Sequence, residues 1–288
     1  MLQKGSSNLV VTGANGYLGK RVVSDLKASG FNVIEVDISH PENPIDLSDL
    51  KQLWDLDLPP DYLLIHLAFP LPGRVNRRSF QKQIRMINEN LVSRFDPVDF
   101  LFISSTAVYG LDGSLEQRPG PWEVYGELKL ESEILFAQNF KKITVFRPGT
   151  LVELSRDSTM MKYVKHLAKS PVVVLPGSGE LIHPFTNTAD LVAAIHQWVT
   201  SGSKDEVFFD LVANDALTLN QLSHQLRTKR RWLTIHIPKF VLRKLGSDKY
   251  LLFGISKWHF SALTYNYQSF GSNFYTEKFL KYSQIFKI

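Results

Sequence analysis

Three side chains in this sequence have the types and spacing that suit proton transfer. Tyr125 and Lys129 are four residues apart, so on a helix they lie on the same face. A free phenol has a pKa of about 10, and a neighbouring ammonium group lowers that pKa, which would make Tyr125 a usable acid or base. Ser105 follows the apolar run at 100–103 and could hydrogen-bond the same substrate oxygen.

The Tyr–Lys spacing by itself is a weak signal. With ten tyrosines in the chain, somewhat under one such pair is expected by chance, and only Tyr125 has a lysine four residues later. The Tyr–Lys pair is more informative than its spacing alone, because it lies on the predicted helix that follows the strand leading to Ser105. The alternative is an ordinary contact between two side chains on a helix surface.

Residues 8–19 provide an element that could hold a nucleotide beside these side chains. A strand-like run ends at Thr12 and leads through Gly13, Gly16 and Gly19 into a helix-like stretch. Glycines in these positions allow a tight turn, a close approach of backbone to a pyrophosphate, and close packing of helix on sheet. The helix N-terminus would direct its N–H groups at the phosphates. The alternative is a glycine-rich turn without a ligand.

Asp37 ends the second strand-like run, ~20 residues after the glycine turn. An acidic residue at this place accepts hydrogen bonds from the adenosine ribose and repels a 2′-phosphate. Ile38, Ser39 and His40 follow, and none of them is a lysine or arginine that would attract that phosphate. The pattern favours NAD over NADP, although an aspartate at a strand end can also be a simple turn former.

Composition limits the other classes of function. The 288 residues suit one large domain or a domain with a smaller lobe, and the absence of cysteine excludes disulfides, thiolate catalysis and cysteine-ligated zinc. No apolar stretch approaches the ~20 residues of a membrane span, and residues 1–7 are too short and polar for a signal peptide. We therefore expect a cytoplasmic protein without membrane contact.

Neither nucleic acid nor a metal is an expected partner. The net charge of +5 is modest, and the one dense basic run, at 227–231, is more typical of a solvated helix end than of a nucleic-acid patch. His66 has no second histidine or carboxylate at ligand spacing, so we interpret it as a strand-end histidine near the cofactor.

The order of predicted elements indicates an α/β fold, with a parallel sheet covered by helices. The predicted strands are 8–12, 32–36, 62–67, 99–104, 143–146 and 207–211. The predicted helices are 16–29, 79–95, 123–139 and 188–200. We expect residues 1–150 to form the nucleotide-binding domain, with 180–215 returning to it, and residues 151–179 and 216–288 to form a smaller α+β lobe that binds substrate.

Together these motifs resemble the extended short-chain dehydrogenase/reductase superfamily, and within it the NAD-dependent epimerase/dehydratase family. The resemblance covers residues 8 to 215 well and the remainder weakly. The matching positions are the turn at 12–19, Asp37, Asp46, the segments 66–68 and 104–110, Tyr125, Lys129, and the segments 146–148 and 185–191.

The resemblance implies a Rossmann-type, doubly wound parallel sheet and NAD as the cofactor. It implies Ser105, Tyr125 and Lys129 as catalytic residues. The positions it implies for cofactor binding are Gly13, Asn15, Gly16, Tyr17, Leu18, Gly19, Asp37, Asp46, Leu67, Ala68, Tyr125, Lys129 and Pro148. Asp46 would contact the adenine amino group, or else it caps a helix at 47–54. No metal is implied.

The substrate positions depart from the family pattern. Asn88 is the candidate for the active-site asparagine, although a solvent-facing helix asparagine would look the same. Thr106 begins the pair that replaces the acidic residues of sugar dehydratases, which argues against dehydration. His183 stands near the position where nucleotide-sugar epimerases carry a diphosphate-binding arginine, which weakens the case for a nucleotide-sugar substrate; the alternative is an ordinary loop histidine. Phe69 stands where the family carries a small residue close to the cofactor.

The sequence therefore predicts an NAD-dependent oxidoreductase or epimerase acting on a secondary alcohol or ketone of a small-molecule substrate, a sugar or a nucleotide-sugar. The alternative is a non-catalytic nucleotide-sensing regulator or an RNA-binding protein on the same fold.

The family also implies a homodimer through helices 79–95 and 123–139. The second helix has more apolar residues than one packed stripe needs, namely Val124, Leu128, Ile134, Leu135 and Phe136. The glutamates Glu127, Glu131 and Glu133 could offset the basic residues of the first helix across the interface.

Overall fold

The computed structural model of the chain describes residues 8–70, 77–109, 123–153, 159–201, 208–212, 217–227, 233–238 and 241. The strands within them are β1 (Asn8–Thr12), β2 (Asn32–Val36), β3 (Tyr62–His66), β4 (Asp99–Ile103), β5 (Ile143–Pro148), β6 (Thr150–Val152), β7 (Val172–Pro176), β8 (Phe185–Asn187), β9 (Phe208–Leu211) and β10 (Leu233–Ile237). The helices are α1 (Tyr17–Ala28), α2 (Leu50–Trp54), α3 (Arg77–Arg94), α4 (Glu123–Asn139), α5 (Thr159–Lys169), α6 (Thr188–Ser201) and α7 (Leu219–Gln225).

Six strands form the main sheet in the order β2-β1-β3-β4-β5-β9. The pairs β2–β1, β1–β3, β3–β4 and β4–β5 are all parallel. The chain builds the sheet outward from β1 in both directions, so the strand order reverses between β1 and β3. Ligands of open α/β sheets bind at the carboxyl ends of the strands at such a reversal. The predicted Rossmann-type α/β fold is confirmed.

The strands are apolar because helices cover both faces of a parallel sheet. Leu9, Val10 and Val11 of β1 are completely buried, and every residue of β3 and β4 is buried. Aromatic rings of β4 and α4 fill the space between sheet and helix, where Phe102 meets Phe136 at 5.1 Å between ring centroids. This packing fixes α4 against the carboxyl half of β4, which positions the candidate catalytic side chains.

The contacts within the chain divide it into two compact units. The first contains residues 1–105, 124–147 and 191–209, and the second contains residues 106–123, 148–190 and 210–288. The ranges 151–179 and 216–288, which the sequence assigns to a smaller lobe, fall in the second unit, whereas of the range 180–215 only 191–209 falls in the first. The domain boundaries stay a prediction. The second unit has its own core around Tyr163 and Phe185, and within it β7 pairs in parallel with β10, and β6 with β8.

The face formed by α3 and α4 is less apolar than the sequence suggested. Leu128 and Phe136 are completely buried in the core of their own unit, whereas Ile134 is 52% exposed. The glutamates expected to act across a dimer interface have partners in the same chain: Glu127 and Glu131 form ion pairs with Arg77 and Arg85 of α3, and Glu133 with Arg147. The homodimer stays a prediction.

No helix within the described residues is both long and apolar enough to cross a bilayer.

Candidate active site

The glycine turn after β1 has a backbone that requires its glycines. Gly13 has φ +72°, in the left-handed region, and a Cβ there would lie 2.6 Å from the backbone nitrogen of Ala68. A Cβ on Gly16 would lie 3.1 Å from the Gly13 carbonyl oxygen, and one on Gly19 would overlap that same oxygen. The turn after β1 therefore packs closely against the segment after β3, because Gly13 has no side chain.

The turn leaves hydrogen-bond donors available to an anion. Helix α1 begins at Tyr17 with Gly16 as its N-cap, and no side chain among the described residues caps it. The side-chain Nδ2 of Asn15 is buried without a hydrogen-bond partner in the same set of residues. Free N–H groups and the positive end of a helix dipole suit a pyrophosphate. Tyr17 and Leu18 lie in the first turn of this helix. The helix N-terminus and the Asn15 amide together fit the pyrophosphate of a dinucleotide.

Asp37, directly after β2, is tied to the glycine turn. One carboxylate oxygen accepts the backbone N–H of Asn15 at 2.9 Å. The other oxygen accepts the backbone N–H of Ser39 at 2.8 Å and the Ser39 hydroxyl at 2.6 Å. These bonds hold a negative charge at the carboxyl end of β2, beside the turn that would hold the phosphates.

Asp46 does not cap a helix, so that alternative was wrong. The N-cap of α2 is Asp49, whose carboxylate accepts the backbone N–H groups of Lys51 and Gln52. Asp46 instead accepts the backbone N–H and the hydroxyl of Ser48 at 2.8 and 2.7 Å. Its role toward adenine stays a prediction.

The end of β4 brings together the three candidate catalytic side chains. The hydroxyl of Tyr125 on α4 is hydrogen-bonded to the side chain of Ser105, which follows β4 by two residues. Lys129, one helical turn after Tyr125, donates from Nζ to the carbonyl oxygen of Ile103, the last residue of β4, at 2.6 Å. The neighbouring strand end contributes Leu67, whose backbone N–H donates to the Thr12 carbonyl at 3.1 Å.

The pKa of Tyr125 differs from the sequence-based expectation, in which Lys129 lowers it. Burial raises the pKa of Tyr125 to about 12, and the hydrogen bond from Ser105 opposes that rise. Burial also lowers the pKa of Lys129 well below its usual value, with Glu133 opposing the shift. Desolvation is the larger effect because Nζ of Lys129 lies 5.9 Å from the Tyr125 ring centroid, so the phenol is protonated at neutral pH.

Asn88 lies inside the packing of α3 on α4, so the solvent-facing alternative was wrong. Its side-chain Nδ2 donates to the hydroxyl of Ser132 at 2.7 Å, and its Oδ1 is buried without a partner among the described residues. Ser132 donates in turn to the carbonyl oxygen of Leu128 at 2.6 Å. Asn88 thus links α3 to the helix that carries Tyr125.

The remaining predicted positions belong to the second unit. Thr106 begins a single 3₁₀ turn, and its carbonyl oxygen accepts the backbone N–H of Tyr109 at 3.2 Å. His183 is buried, with Nε2 2.7 Å from the hydroxyl of Thr150. Pro148 ends β5. Of the basic run, Arg227 is described, and residues 228–231 lie outside the described part of the chain.

His66 is a buried core residue. Its ring is 1% exposed, stacks on Phe102 at 5.5 Å and shares a hydrogen bond of 2.6 Å between Nδ1 and the Thr12 hydroxyl. Burial, together with the charge of Lys129, lowers the pKa of His66 to about 3. Among the described residues no group of three histidines and acidic residues could hold a metal ion.

This buried histidine predicts acid sensitivity. In the unfolded chain His66 binds a proton below pH ~6.5, whereas the folded protein resists protonation down to about pH 3. Stability should therefore fall as the pH drops from ~6.5 toward 3, by on the order of 2 kcal/mol at pH 5 from this residue. Chemical denaturation at about pH 5 and about pH 7.5 measures the loss. His66→Asn should flatten the dependence, and the exposed His224→Asn should leave it unchanged; equal slopes for all three proteins would contradict the assignment.

Three residues at the site were not predicted from the sequence in these roles. Glu133 and Arg147 form a buried bidentate ion pair, with N–O distances of 3.0 and 2.6 Å and exposures of 2% and 5%. Glu133 lies one helical turn after Lys129, and that spacing was the available signal. Phe69 was noted only as a departure from the family, and it contacts both Tyr125 and Lys129.

Comparison with solved structures finds the same fold in nucleotide-sugar enzymes. UDP-glucose 4-epimerase from Thermotoga maritima, solved with UDP-glucose, is 19% identical over 80% of this chain and 85% of that one, with a TM-score of 0.58. MoeE5, solved with UDP-glucuronic acid and NAD, is 20% identical over 90% and 98%, with a TM-score of 0.56. MlghC, a GDP-mannoheptose C4 reductase from Campylobacter jejuni with NADP bound, is 13% identical over 91% and 99%, with a TM-score of 0.60.

The comparison with protein families agrees with the geometry. None of the curated proteins matches the sequence significantly. The model of the NAD-dependent epimerase/dehydratase family matches residues 9–209, which include the glycine turn, Asp37 and the Ser105–Tyr125–Lys129 group. The chain therefore belongs to the NAD-dependent epimerase/dehydratase family.

Proposed function

We propose that the chain is an NAD-dependent oxidoreductase or epimerase that acts on a secondary alcohol or its ketone, carried on a sugar or a nucleotide-sugar. The observation that carries the proposal is the hydrogen bond between Tyr125 and Ser105, with Lys129 one helical turn away at the end of β4. This group lies in the same unit as the glycine turn, at the same edge of the sheet, with one strand, β3, between β1 and β4. The nucleotide-sugars bound by structurally similar enzymes support the substrate class.

The glycine turn would hold the pyrophosphate through the backbone of residues 13–19 and the amide of Asn15, and Asp37 would accept the adenosine ribose hydroxyls. When bound, NAD supplies the hydride acceptor or, in its reduced form, the donor. Lys129 has N–H groups beyond the one given to Ile103, because its amino group carries more than one donor. These remaining donors would hold the nicotinamide ribose.

The side chains of this site perform the proton chemistry. Tyr125 is protonated at neutral pH, so its hydroxyl is ready to donate a proton to the oxygen of a ketone as the carbonyl is reduced. Ser105 donates a hydrogen bond to the same oxygen and stabilises the charge that develops there. Lys129 stabilises the phenolate that remains. Oxidation of an alcohol uses the same groups in reverse, with the phenolate accepting the proton.

Turnover assays on UDP- and GDP-sugars would test the proposal and separate its two reactions. A dehydrogenase releases one reduced cofactor for each product, whereas an epimerase yields the epimer without net NADH. Absorbance of the nicotinamide and NMR of the sugar measure both. Tight NAD binding without conversion of any alcohol or ketone would favour the nucleotide-sensing alternative and contradict this proposal.

Asp37 provides a test of cofactor choice. We expect NAD(H) to bind at least several-fold more tightly than NADP(H), because Asp37 repels a 2′-phosphate and no basic residue follows at 38–40. Asp37→Ala should reduce this preference. Cofactor fluorescence titrations measure both affinities, and Asp61→Ala, which removes an exposed carboxylate directly before β3, at the amino ends of the strands, is the control. Equal affinities in the unaltered protein would reject the role of Asp37.

A further inference from the structure

Phe69 contacts both members of the proton-transfer pair. It follows β3 by three residues, and its ring centroid lies 3.8 Å from Nζ of Lys129. The same ring meets the ring of Tyr125 edge to face, at 5.4 Å between centroids and 83° between planes. Phe69 is half-buried and packs against the core on both sides, so its position is determined by packing.

Lys129 is a buried lysine whose amino group makes few polar contacts. The residue is 2% exposed, and its one hydrogen bond within the described chain goes to the carbonyl oxygen of Ile103. A second aromatic ring, that of Phe102, lies 4.6 Å from Nζ. Removing an ammonium group from water is costly, and an aromatic face within about 6 Å recovers part of that cost. The environment of Lys129 is therefore mainly aromatic.

The charged and titratable groups around Lys129 do not replace these rings. Glu133, on the same helix, attracts Lys129, but both of its carboxylate oxygens are bonded to Arg147. His66, on β3, faces Lys129 and is neutral because burial lowers its pKa to about 3. Tyr125 is also neutral at neutral pH. No carboxylate among the described residues is in ion-pair contact with Nζ.

We propose that Phe69 is a positioning residue of the proton-transfer site, whose ring face stabilises the ammonium form of Lys129 and holds it beside Tyr125, in the place that a carboxylate would otherwise take. A carboxylate in contact with Nζ would cancel most of the positive charge that reaches Tyr125. An aromatic ring attracts a cation through its quadrupole and has no net charge, so it holds the ammonium group without cancelling its field. The catalytic consequence rests on the proposed function; the aromatic contact itself does not.

The pKa of Lys129 measures this contact directly. Protein labelled with ¹³Cε-lysine is titrated by NMR, and the Lys129 signal is identified as the one missing from Lys129→Arg. Phe69→Leu removes the aromatic face but keeps an apolar side chain, and we expect the pKa of Lys129 to fall by about one unit, a tenfold change in its protonation equilibrium. Phe69→Tyr retains the face and should keep the original pKa. An activity profile should change in the same direction, with the high-pH loss of turnover in Phe69→Leu beginning at lower pH.

The control is Phe95→Leu, which removes a buried ring from the same core cluster without contact to Lys129. It should reduce stability and leave the Lys129 titration unchanged. An unchanged Lys129 pKa in Phe69→Leu would overturn the proposal, as would an equal change in Phe95→Leu. If Phe69→Leu does not fold, Phe69→Met is titrated in its place, with the same expected fall. The titration needs neither cofactor nor substrate, so its result stands apart from the turnover assays that test the proposed function.

Discussion

Tyr125→Phe is expected to reduce turnover by about two to four orders of magnitude while the affinity for NAD stays within a few-fold of the unaltered protein. The substitution removes one oxygen atom, and that atom is the one hydrogen-bonded to Ser105 at the end of β4. Because the ring remains, its edge-to-face contact with Phe69 remains as well, and the fold should be preserved. The loss should therefore appear in kcat and in kcat/KM together, as expected for an interaction made in the transition state.

The matched control for this variant is Tyr62→Phe. The Tyr62 hydroxyl accepts the backbone N–H of Asp96 at 3.0 Å, away from the site, so its removal should cost stability and leave turnover unchanged. Lys129→Met should lose both turnover and cofactor affinity, because we assign it to the phenolate and to the ribose. Steady-state kinetics and fluorescence titration with NAD distinguish the three variants. Near-normal turnover of Tyr125→Phe would reject the mechanism.

The sheet and the cofactor turn could be predicted because their signals are local. The buried strand β1, the glycines at 13, 16 and 19 and the helix α1 follow each other within about twenty residues, and each glycine is required by a backbone contact within that turn or with the adjacent strand end. The Tyr125–Lys129 pair was equally accessible, since four residues on a helix fix two side chains on one face.

The electrostatics of the site could not be predicted in the same way. Spacing places Lys129 near Tyr125 but says nothing of the phenylalanine rings that surround its ammonium group, or of the desolvation that raises the pKa of the phenol to about 12. Asn88 had the same difficulty, because its burial depends on how α3 packs on α4. These properties come from tertiary contacts between segments more than twenty residues apart.

Glu133 shows most clearly what the sequence could not predict, because helix periodicity alone allowed it to be an interface residue. Glu131 and Glu133 are two residues apart on α4, yet the helix turns them toward different surroundings: Glu131 is 47% exposed and pairs with Arg85, whereas Glu133 is 2% exposed and pairs with Arg147. Arg147 lies near the end of β5, and its guanidinium carbon is also 4.5 Å from the Phe208 ring centroid. The two ion pairs have similar geometry, but one is exposed and the other is buried. Comparing them therefore tests how burial changes the contribution of an ion pair to stability.

Glu133→Gln should lower the free energy of unfolding by about 3–5 kcal/mol, because it leaves Arg147 as an uncompensated buried charge. Glu131→Gln, on the same helix, should cost only about 0–1 kcal/mol, because water replaces the lost partner of Arg85. Chemical denaturation measures the free energy of unfolding of both variants. The signal is the fluorescence of Trp198, which is buried in the same unit and hydrogen-bonded to Thr144. Equal losses would show that the Glu133–Arg147 pair is not desolvated in solution.

A double variant separates the cost of the unpaired charge from the cost of lost packing. Glu133→Leu combined with Arg147→Met removes both charges and keeps apolar volume, so it should recover much of the stability lost in Glu133→Gln. The same double variant removes the carboxylate that raises the pKa of Lys129, so in this variant the pKa of Lys129 should fall further. If stability is recovered and the pKa of Lys129 is lower, the ion pair contributes more to keeping Lys129 protonated than to the stability of the fold. A double variant as unstable as Glu133→Gln would instead assign the loss to packing around β5 and α4.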